Sequence, residues 1–267
     1  MIPTGSPDEE VDTSAIESGA IWCDSSGGGP LLARWTSDWD CGYETNWWYC
    51  IKDMPLELET LKAKRRYEIK KGLRNFDVKL IKPMDFSEEL FEVQVAAFSA
   101  YPTKYRPVVD RKDFLKSIES WKNLTVYGAF SKEGGQLAGY ALLNQNSSDW
   151  IEFNVLKTKP EFEKYAINAA IVGSILENFS DFLEKGGIIC DGSRSINHET
   201  HFQDYLEKYF NFRKAYCKLH VDYNPKIKWL IPLLYSMRKL LIKFDSIGIF
   251  HQVNAILKME EIVRNQE

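Results

Sequence analysis

The stretch that most constrains what this chain can fold into runs from Gly186 to Tyr223, GGIICDGSRSINHETHFQDYLEKYFNFRKAYCKLHVDY. Its patterning changes period twice. Ile188, Ile189 and Cys190 form a short apolar run entered through two glycines, as a strand covered on both faces does. Asp191-Gly192 stops that run, and Ser193-Arg194-Ser195 leads into a helix with Phe202, Tyr205, Leu206 and Tyr209 at helical spacing. Asn211 stands where the helix ends and a left-handed residue is wanted. The period then becomes two. Ala215, Cys217, Leu219 and Val221 share one face of a strand, and Tyr216, Lys218, His220 and Asp222 the other. This order of strand, loop, helix and strand predicts an α/β sheet. The loop Asp191–Ser195 leaves the carboxyl end of a buried strand and faces a helix N-terminus, the usual place for a ligand in an open α/β sheet.

At 267 residues the chain can bury one large core, or a core with a small addition. A hydrophobic fraction of 44% with 13% aromatics excludes a disordered chain. The net charge of −4 gives no global attraction to DNA or to an anionic membrane. Cys23, Cys41, Cys50, Cys190 and Cys217 are odd in number and lack CxxC or His/Cys ligand spacing, which predicts reduced thiols and no metal site. There is no basic-plus-apolar N-terminal segment and no apolar run long enough to span a bilayer, so the expectation is a cytoplasmic protein.

Residues 1–18 are acidic and small, with two prolines, and are expected to be disordered. Ser25–Pro30 reads as a turn, and Leu31–Trp35 and Trp47–Ile51 as strands. Pro55 is expected to open a helix reaching Asn75, with Glu57 and Glu59 in its first turns and cations after them, as the helix dipole prefers. Leu58, Leu61, Ile69 and Leu73 make its apolar stripe, and Arg65 falls inside that stripe with Arg66 and Lys70 near it. That places a phosphate- or carboxylate-binding patch on Arg65, Arg66 and Lys70, the alternative being a solvated basic face with one snorkelling arginine. A strand at Asp77–Ile81, a helix at Phe86–Tyr101, a loop at Pro102–Pro107 and a helix at Asp110–Trp121 follow. Three strands come next, Leu124–Ser131, Gln136–Asn144 and Trp150–Leu156, the first two joined by the hairpin signal Glu133-Gly134-Gly135. A long helix, apolar almost all round, is expected from Pro160 to Glu184.

Three segments together carry a family resemblance. WYCIKD followed by KAKRRYEIKKGLRNFDVKLI, then TVYGAFSKEGGQLAGYALL, then GGIICDGSRS with FQDYLEKYFNFRKAY resemble, in order and spacing, the FemAB-like branch of the GNAT acyltransferase superfamily. The likeness covers about residues 47–223, with Gln203 and Asn211 where Lys and Gly are common. It implies a GNAT-like α/β fold, a mixed and mostly antiparallel central sheet flanked by helices, in a domain spanning residues 19–224. It also implies acyl transfer to an amine or hydroxyl, with acyl-CoA as co-substrate. The donor is expected at a splay between the third of the three strands and the next one. Lys157, Thr158 and Lys159 stand there as the candidate cofactor-binding residues, although the glycine-rich pyrophosphate loop of the family is absent. The alternatives are aminoacyl transfer from tRNA, against which the single domain argues, and a non-catalytic binding protein of the same fold.

Such chemistry needs a base for the acceptor and donors for a tetrahedral oxyanion. Glu152 on the third strand is the candidate base. Asp191 and Arg194 at the strand end are candidates to bind the acceptor, and Tyr216 or His220 to supply a proton. Residues 225–267 form an amphipathic helical extension. Trp229, Leu230, Leu233, Leu234, Met237, Leu240, Leu241 and Phe244 make its stripe, and Lys226, Lys228, Arg238, Lys239 and Lys243 its cationic side. Packing on the domain is the first expectation for it, with a homodimer contact or a peripheral membrane contact as alternatives. The acceptor is expected to be a small molecule, a sugar or a lipid-linked cell-envelope precursor.

Overall fold

Apolar residues at period two build the strands of this chain and those at period 3.6 its helices, but several boundaries are set by contacts distant in sequence. The structure, a computed structural model, describes residues 2–3, 5–23, 29–101, 106–196 and 201–266. Most of the expected turn at Ser25–Pro30 and of the loop at Pro102–Pro107 lies outside the described residues.

In chain order the elements are α1 (Ser14–Glu17), β1 (Leu32–Ser37), β2 (Trp47–Lys52), α2 (Ala63–Asn75), β3 (Phe76–Leu80), α3 (Ser87–Ser99) and α4 (Arg111–Ile118). Then come β4 (Thr125–Ser131), β5 (Leu137–Gln145), β6 (Trp150–Thr158), α5 (Ile167–Asn178), α6 (Ser180–Glu184), β7 (Ile188–Ser193), α7 (His201–Phe210) and β8 (Arg213–Tyr223). The tail holds α8 (Pro225–Lys228), α9 (Leu230–Ser236), α10 (Arg238–Leu241) and α11 (Gly248–Arg264). The chain divides into two compact units. One comprises Met1–Cys50, Ser193–Phe202 and Lys214–Glu267, the other Ile51–Gly192 and Gln203–Arg213.

The second unit is the larger. Its strands lie in the order β7-β6-β5-β4-β3, antiparallel from β3 to β6, with β7 parallel to β6. The sheet is therefore mixed and mostly antiparallel, with helices on both faces. On one face Leu90 and Val93 of α3 and Phe114 and Ile118 of α4 pack on Val126, Leu137, Tyr140 and Leu142 of β4 and β5. Gln94 accepts a hydrogen bond from the Tyr140 hydroxyl at 2.6 Å, so the one polar tip in that layer is satisfied. On the other face α5 is buried almost all round, with the sheet on one side and α2 on the other. The α2–α5 contact is close because Gly72 meets it: a Cβ there would stand 2.4 Å from the Ala166 carbonyl oxygen and 2.8 Å from the Ala170 nitrogen.

Two expected helices are corrected. The helix expected from Pro55 begins only at Ala63. Leu61 and Lys62 are extended, and the Arg66 guanidinium takes the carbonyls of Glu59 and Leu61 at 2.8 and 2.9 Å, so a side chain rather than a helical ladder satisfies them. The helix expected from Pro160 to Glu184 is three pieces: a 3-10 segment at Pro160–Tyr165, then α5 and α6. Ala166 breaks it first with φ of 66°, turning its carbonyl toward Gly72, and Phe179 breaks it again at φ −102°. Two boundaries beside the site also move. β7 continues through Asp191 and Gly192 to Ser193, and β6 runs on to Thr158. Asn211 takes the left-handed conformation expected of it, with φ of 54°.

In the first unit the strand order is β1-β8-β2, with β1 and β8 antiparallel. Trp47, Cys217 and Leu219 pack against Met259 and Ile262 of α11. Ala215, Cys217 and Leu219 are buried, as period two in β8 requires. No disulfide joins the cysteines. No helix among the described residues is long and apolar enough to cross a membrane.

The Gly72 contact yields a stability test. Gly72→Val should destabilise the protein by about 1–3 kcal/mol, because the obstacle is backbone and cannot swing away. Urea denaturation measures it. A loss near zero would mean α2 and α5 are not held at this distance.

Candidate functional site

The third and fourth strands of interest, β6 and β7, run side by side for only part of their length. Trp150, Ile151 and Glu152 pair with Ile188, Ile189 and Cys190. Pairing ends there, while β6 continues for six more residues. At the point of divergence β6 also carries a bulge. Leu142 of β5 faces Val155, yet Leu143 faces Phe153, so Asn154 is the extra residue. The bulge resets the alternation of β6. Glu152, Val155 and Lys157 lie toward α3, and Phe153 and Thr158 toward α5. Backbone polar groups on that side of β6 beyond Glu152 thus have no β7 ladder.

The two candidate carboxyls flank this opening. Glu152 belongs to the last pair and stands opposite Asn144 on one side and Cys190 on the other. It is half-buried on the α3 side. Asp191 is the first residue of β7 past the last pair and projects to the opposite face, the side of Ile189. On that side Phe153, Val172, Ile175, Leu176, Ile189, Leu206 and Phe212 line an apolar gap too narrow for water. Beside such a wall the Asp191 carboxyl is pushed up to about 7 by loss of solvation, against which a hydrogen bond from Gln203 acts. Gln203 is buried in α7, and its Nε2 also reaches the Gly192 carbonyl at 3.4 Å. Gly192 has φ of 91°, and its N–H points to the Cys190 sulfur at 3.2 Å, so the strand is kinked just past Asp191.

Sequence reasoning named Gln203 only as a departure from the family pattern and gave it no place at the site. The signal was there: Gln203, Leu206 and Phe210 are the buried residues of α7, so one member of an apolar stripe is polar. Of the stripe expected on Phe202, Tyr205, Leu206 and Tyr209, Leu206 is buried and the other three are half-buried, Gln203 and Phe210 taking the remaining buried positions.

Lys157, Thr158 and Lys159 do not converge. Lys157 lies over the ring of Phe98 at 4.8 Å and donates to the Tyr101 hydroxyl at 3.3 Å. Lys159 pairs with Glu92 at 3.4 Å. Both therefore face α3, whereas Thr158 donates to Asn168 of α5 at 3.2 Å. On α2, the Arg66 guanidinium is committed to the carbonyls of Glu59 and Leu61. Arg65 is half-buried rather than sealed in the stripe, and among the described residues its guanidinium has neither a hydrogen bond nor an ion pair. Lys70 is exposed.

The remaining candidates belong to the first unit. Arg194 spends a guanidinium donor on the Asn46 carbonyl at 2.6 Å and its own N–H on Trp48. Tyr216 is half-buried on β8, opposite in direction to buried Cys217, and its carbonyl accepts the Cys41 N–H. His220 stacks on Trp35 at 5.3 Å and shares a 2.7 Å hydrogen bond with the Ser37 hydroxyl. Burial holds its pKa below the usual imidazole value. Lys218 pairs with Asp38 at 2.7 Å on the same strand face. A separate polar cleft of about 480 Å³ is lined by Tyr43, Glu44, Thr45, Asn46, Lys218 and Gln266. Cys217 is no nucleophile, since burial pushes its thiol up to about 12.

No family model matches the sequence, and no curated protein matches it by sequence. By structure the chain is similar to L-PGS from Bacillus licheniformis, with 12% identity, 84% of this chain and 76% of that chain covered, and a TM-score of 0.52. It is also similar to FemX, at 9% identity over 69% of this chain and 63% of that one, with a TM-score of 0.48. A tandem GNAT protein from the clavulanic acid biosynthesis pathway matches at 8% identity over 73% and 64%, with a TM-score of 0.41. Identities this low speak to the fold. The likeness to L-PGS extends to the fold alone, a mixed and mostly antiparallel sheet flanked by helices.

Proposed function

We propose that the protein is a transferase that moves an acyl group from an acyl-CoA thioester to an amine or hydroxyl. The acceptor would be a small molecule, a sugar or a lipid-linked precursor. The observation that carries this reading is the divergence of β6 from β7 beyond the Glu152–Cys190 pair. An unpaired strand edge can take an extended, amide-bearing ligand as a further strand, and the amides of the coenzyme A arm suit it. Near the bulge at Asn154, backbone N–H groups can hold the oxyanion of a tetrahedral intermediate.

In the proposed reaction Glu152 takes a proton from the acceptor. The freed nitrogen or oxygen attacks the thioester carbonyl, a C–N or C–O bond forms and the C–S bond breaks. The thiolate leaves and is protonated by solvent. Glu152 and Asp191 project from opposite faces, so they do not share one proton. Asp191 instead offers a carboxyl that ionises as a cationic acceptor approaches, since its proton is held only to about pH 7. Arg65, free of partners among the described residues, is the proposed anchor for an anionic group of either substrate.

One observation favours a second donor, an aminoacyl ester carried on tRNA. The first turn of α5, where a coenzyme A pyrophosphate would seek N–H groups, is built from buried Ile167, Ala169 and Ala170, and both nearby lysines face α3. Calorimetry with acetyl-CoA and longer acyl-CoAs separates the readings. Binding supports the thioester donor. No binding, with label transferred from aminoacyl-tRNA to an amine, supports the second. Neither result leaves a non-catalytic binding protein of the same fold.

With a donor in hand, Glu152→Gln should lower kcat by about 10²–10⁴-fold and leave the thermal midpoint in place. Unchanged turnover across the pH range removes Glu152 from the mechanism.

Asp191 makes a prediction that needs no substrate. Its carboxyl holds a proton in the folded state up to about pH 7, well above the ordinary carboxylate range, so the folded state binds more protons between those limits. The stability this contributes is full below the ordinary range and is lost as pH rises through about 7. Asp191→Asn should therefore gain stability relative to the parent as pH rises from about 4 to about 7, and keep that gain above it, in urea titrations. A difference that stays flat with pH would show Asp191 to be solvated.

Arg65→Lys keeps the charge and loses the planar fork, and should weaken binding of the anionic substrate by about 1–3 kcal/mol while stability stays within about 0.5 kcal/mol. Equal affinity in the two proteins would make Arg65 a surface cation only.

A further inference from the structure

The tail of the first unit divides into two parts with opposite surfaces. Ile231 and Leu241 are the buried residues of α9 and α10. Leu230 and Leu234 are half-buried, and most other apolar residues of the stripe between 229 and 249 are exposed. Trp229 is 71% exposed, Ile242 64% and Ile249 67%, and Leu233, Leu240 and Ile247 are also exposed. Scattered apolar residues on a surface need no explanation, but this many large exposed ones within some twenty residues are a local concentration that does.

Its charge is as one-sided as its hydropathy. Residues 225–249 hold five cations, Lys226, Lys228, Arg238, Lys239 and Lys243, against one carboxylate, Asp245. Asp245 is turned inward to His251 at 2.9 Å and Asn254 at 2.8 Å. Lys228 is paired with Asp222, and Arg238 with Glu261. Lys226, Lys239 and Lys243 are exposed and have no partner among the described residues. The whole chain is acidic at −4, so this segment is a local reversal of sign.

We propose that residues 225–249 dock on the surface of an anionic phospholipid bilayer, with Trp229, Leu240, Ile242 and Ile249 in the headgroup–acyl boundary and Lys226, Lys239 and Lys243 against lipid phosphates. A segment of exposed apolar residues and lysines with an interfacial tryptophan suits that occupant. A second copy of the chain does not fit as well, because a two-fold contact would set lysines against lysines. The segment lies on the bilayer rather than across it, since its helices are short. This inference stands on residues of the first unit alone and is independent of the transfer reaction.

The test uses the full chain and vesicles of phosphatidylcholine with about one-third phosphatidylserine, read by co-sedimentation. Binding to these vesicles, lost with pure phosphatidylcholine and weakened by salt, is expected. Lys239→Glu with Lys243→Glu should weaken it by at least about tenfold. Trp229→Ser with Leu240→Ser should weaken it by at least about tenfold too, with an unchanged circular dichroism spectrum because both residues are exposed. A parent protein that ignores anionic vesicles overturns the proposal, as does binding that neither double variant alters. So does a parent dimer that Trp229→Ser with Leu240→Ser turns into monomers without any vesicle binding.

Discussion

A strand that loses its neighbour halfway along its length is the constraint on which the site depends. Beyond Glu152 the backbone of β6 has β5 on one side only, and open backbone donors and acceptors must find partners in solvent or ligand. The bulge at Asn154 makes this tolerable. It bends β6 at the divergence and restores the alternation, so Val155 still reaches the core beneath α3 while Thr158 still reaches α5. The wall behind the opening must then be supplied by helices. α5 supplies it with small and β-branched residues, and it approaches closely because Gly72 lets α2 press on it from behind. That dry wall is also what raises the proton affinity of Asp191. The polar site and the apolar core are consequences of one packing arrangement.

Much of this layering was legible in the sequence. The change of period at Asn211, the two-glycine hairpin and the alternation of β8 are local signals that the structure follows, whereas β7 runs past the stop read at Asp191. The places where reading failed share a cause: a contact far along the chain overrode a local preference. Nothing in Pro55–Lys62 announces that Arg66 will take two of its carbonyls, and an acidic first turn reads well as a helix start. Ala166 has high helix propensity, yet it adopts a left-handed conformation beside Gly72. The bulge at Asn154 is one residue in nine of a strand, and period-two reading has no means of finding it.

The candidate site shows the same division. Glu152 and Asp191 were read as candidates because a carboxyl next to apolar strand residues is conspicuous. Their placement on opposite faces was not legible, because it depends on register between two strands. Lys159 read as an anion ligand since its partner, Glu92, lies on a helix that the sequence does not bring near it. Asp53 is a comparable case. It closes the WYCIKD segment, and in the structure its Oδ2 receives both Nε and Nη2 of Arg213, tying the end of β2 to the start of β8. Such a fork fixes geometry more than it adds stability, both side chains being partly exposed.

The tail was expected to pack, to pair with a second copy or to meet a membrane, and its two halves answer differently. α11 belongs to the core of the first unit. Met259 and Ile262 pack beside Trp47, and the Tyr223 hydroxyl donates to Glu260 at 2.9 Å. Gln266 exchanges two hydrogen bonds with the backbone of Leu219, doing with a side-chain amide what a neighbouring strand would do. Residues 225–249, by contrast, bury two side chains of α9 and α10 and leave the larger ones outside. Both halves are apolar on one side at helical period, so amphipathicity alone does not say which face meets protein. What distinguishes them is where polar partners stand. α11 offers Glu260, and the chain just past its end Gln266, to groups on β8 that need them, whereas lysines with no partner among the described residues lie in the exposed segment. A helix whose polar groups are answered within its own unit is held there, and one whose cations are unanswered is left facing outward.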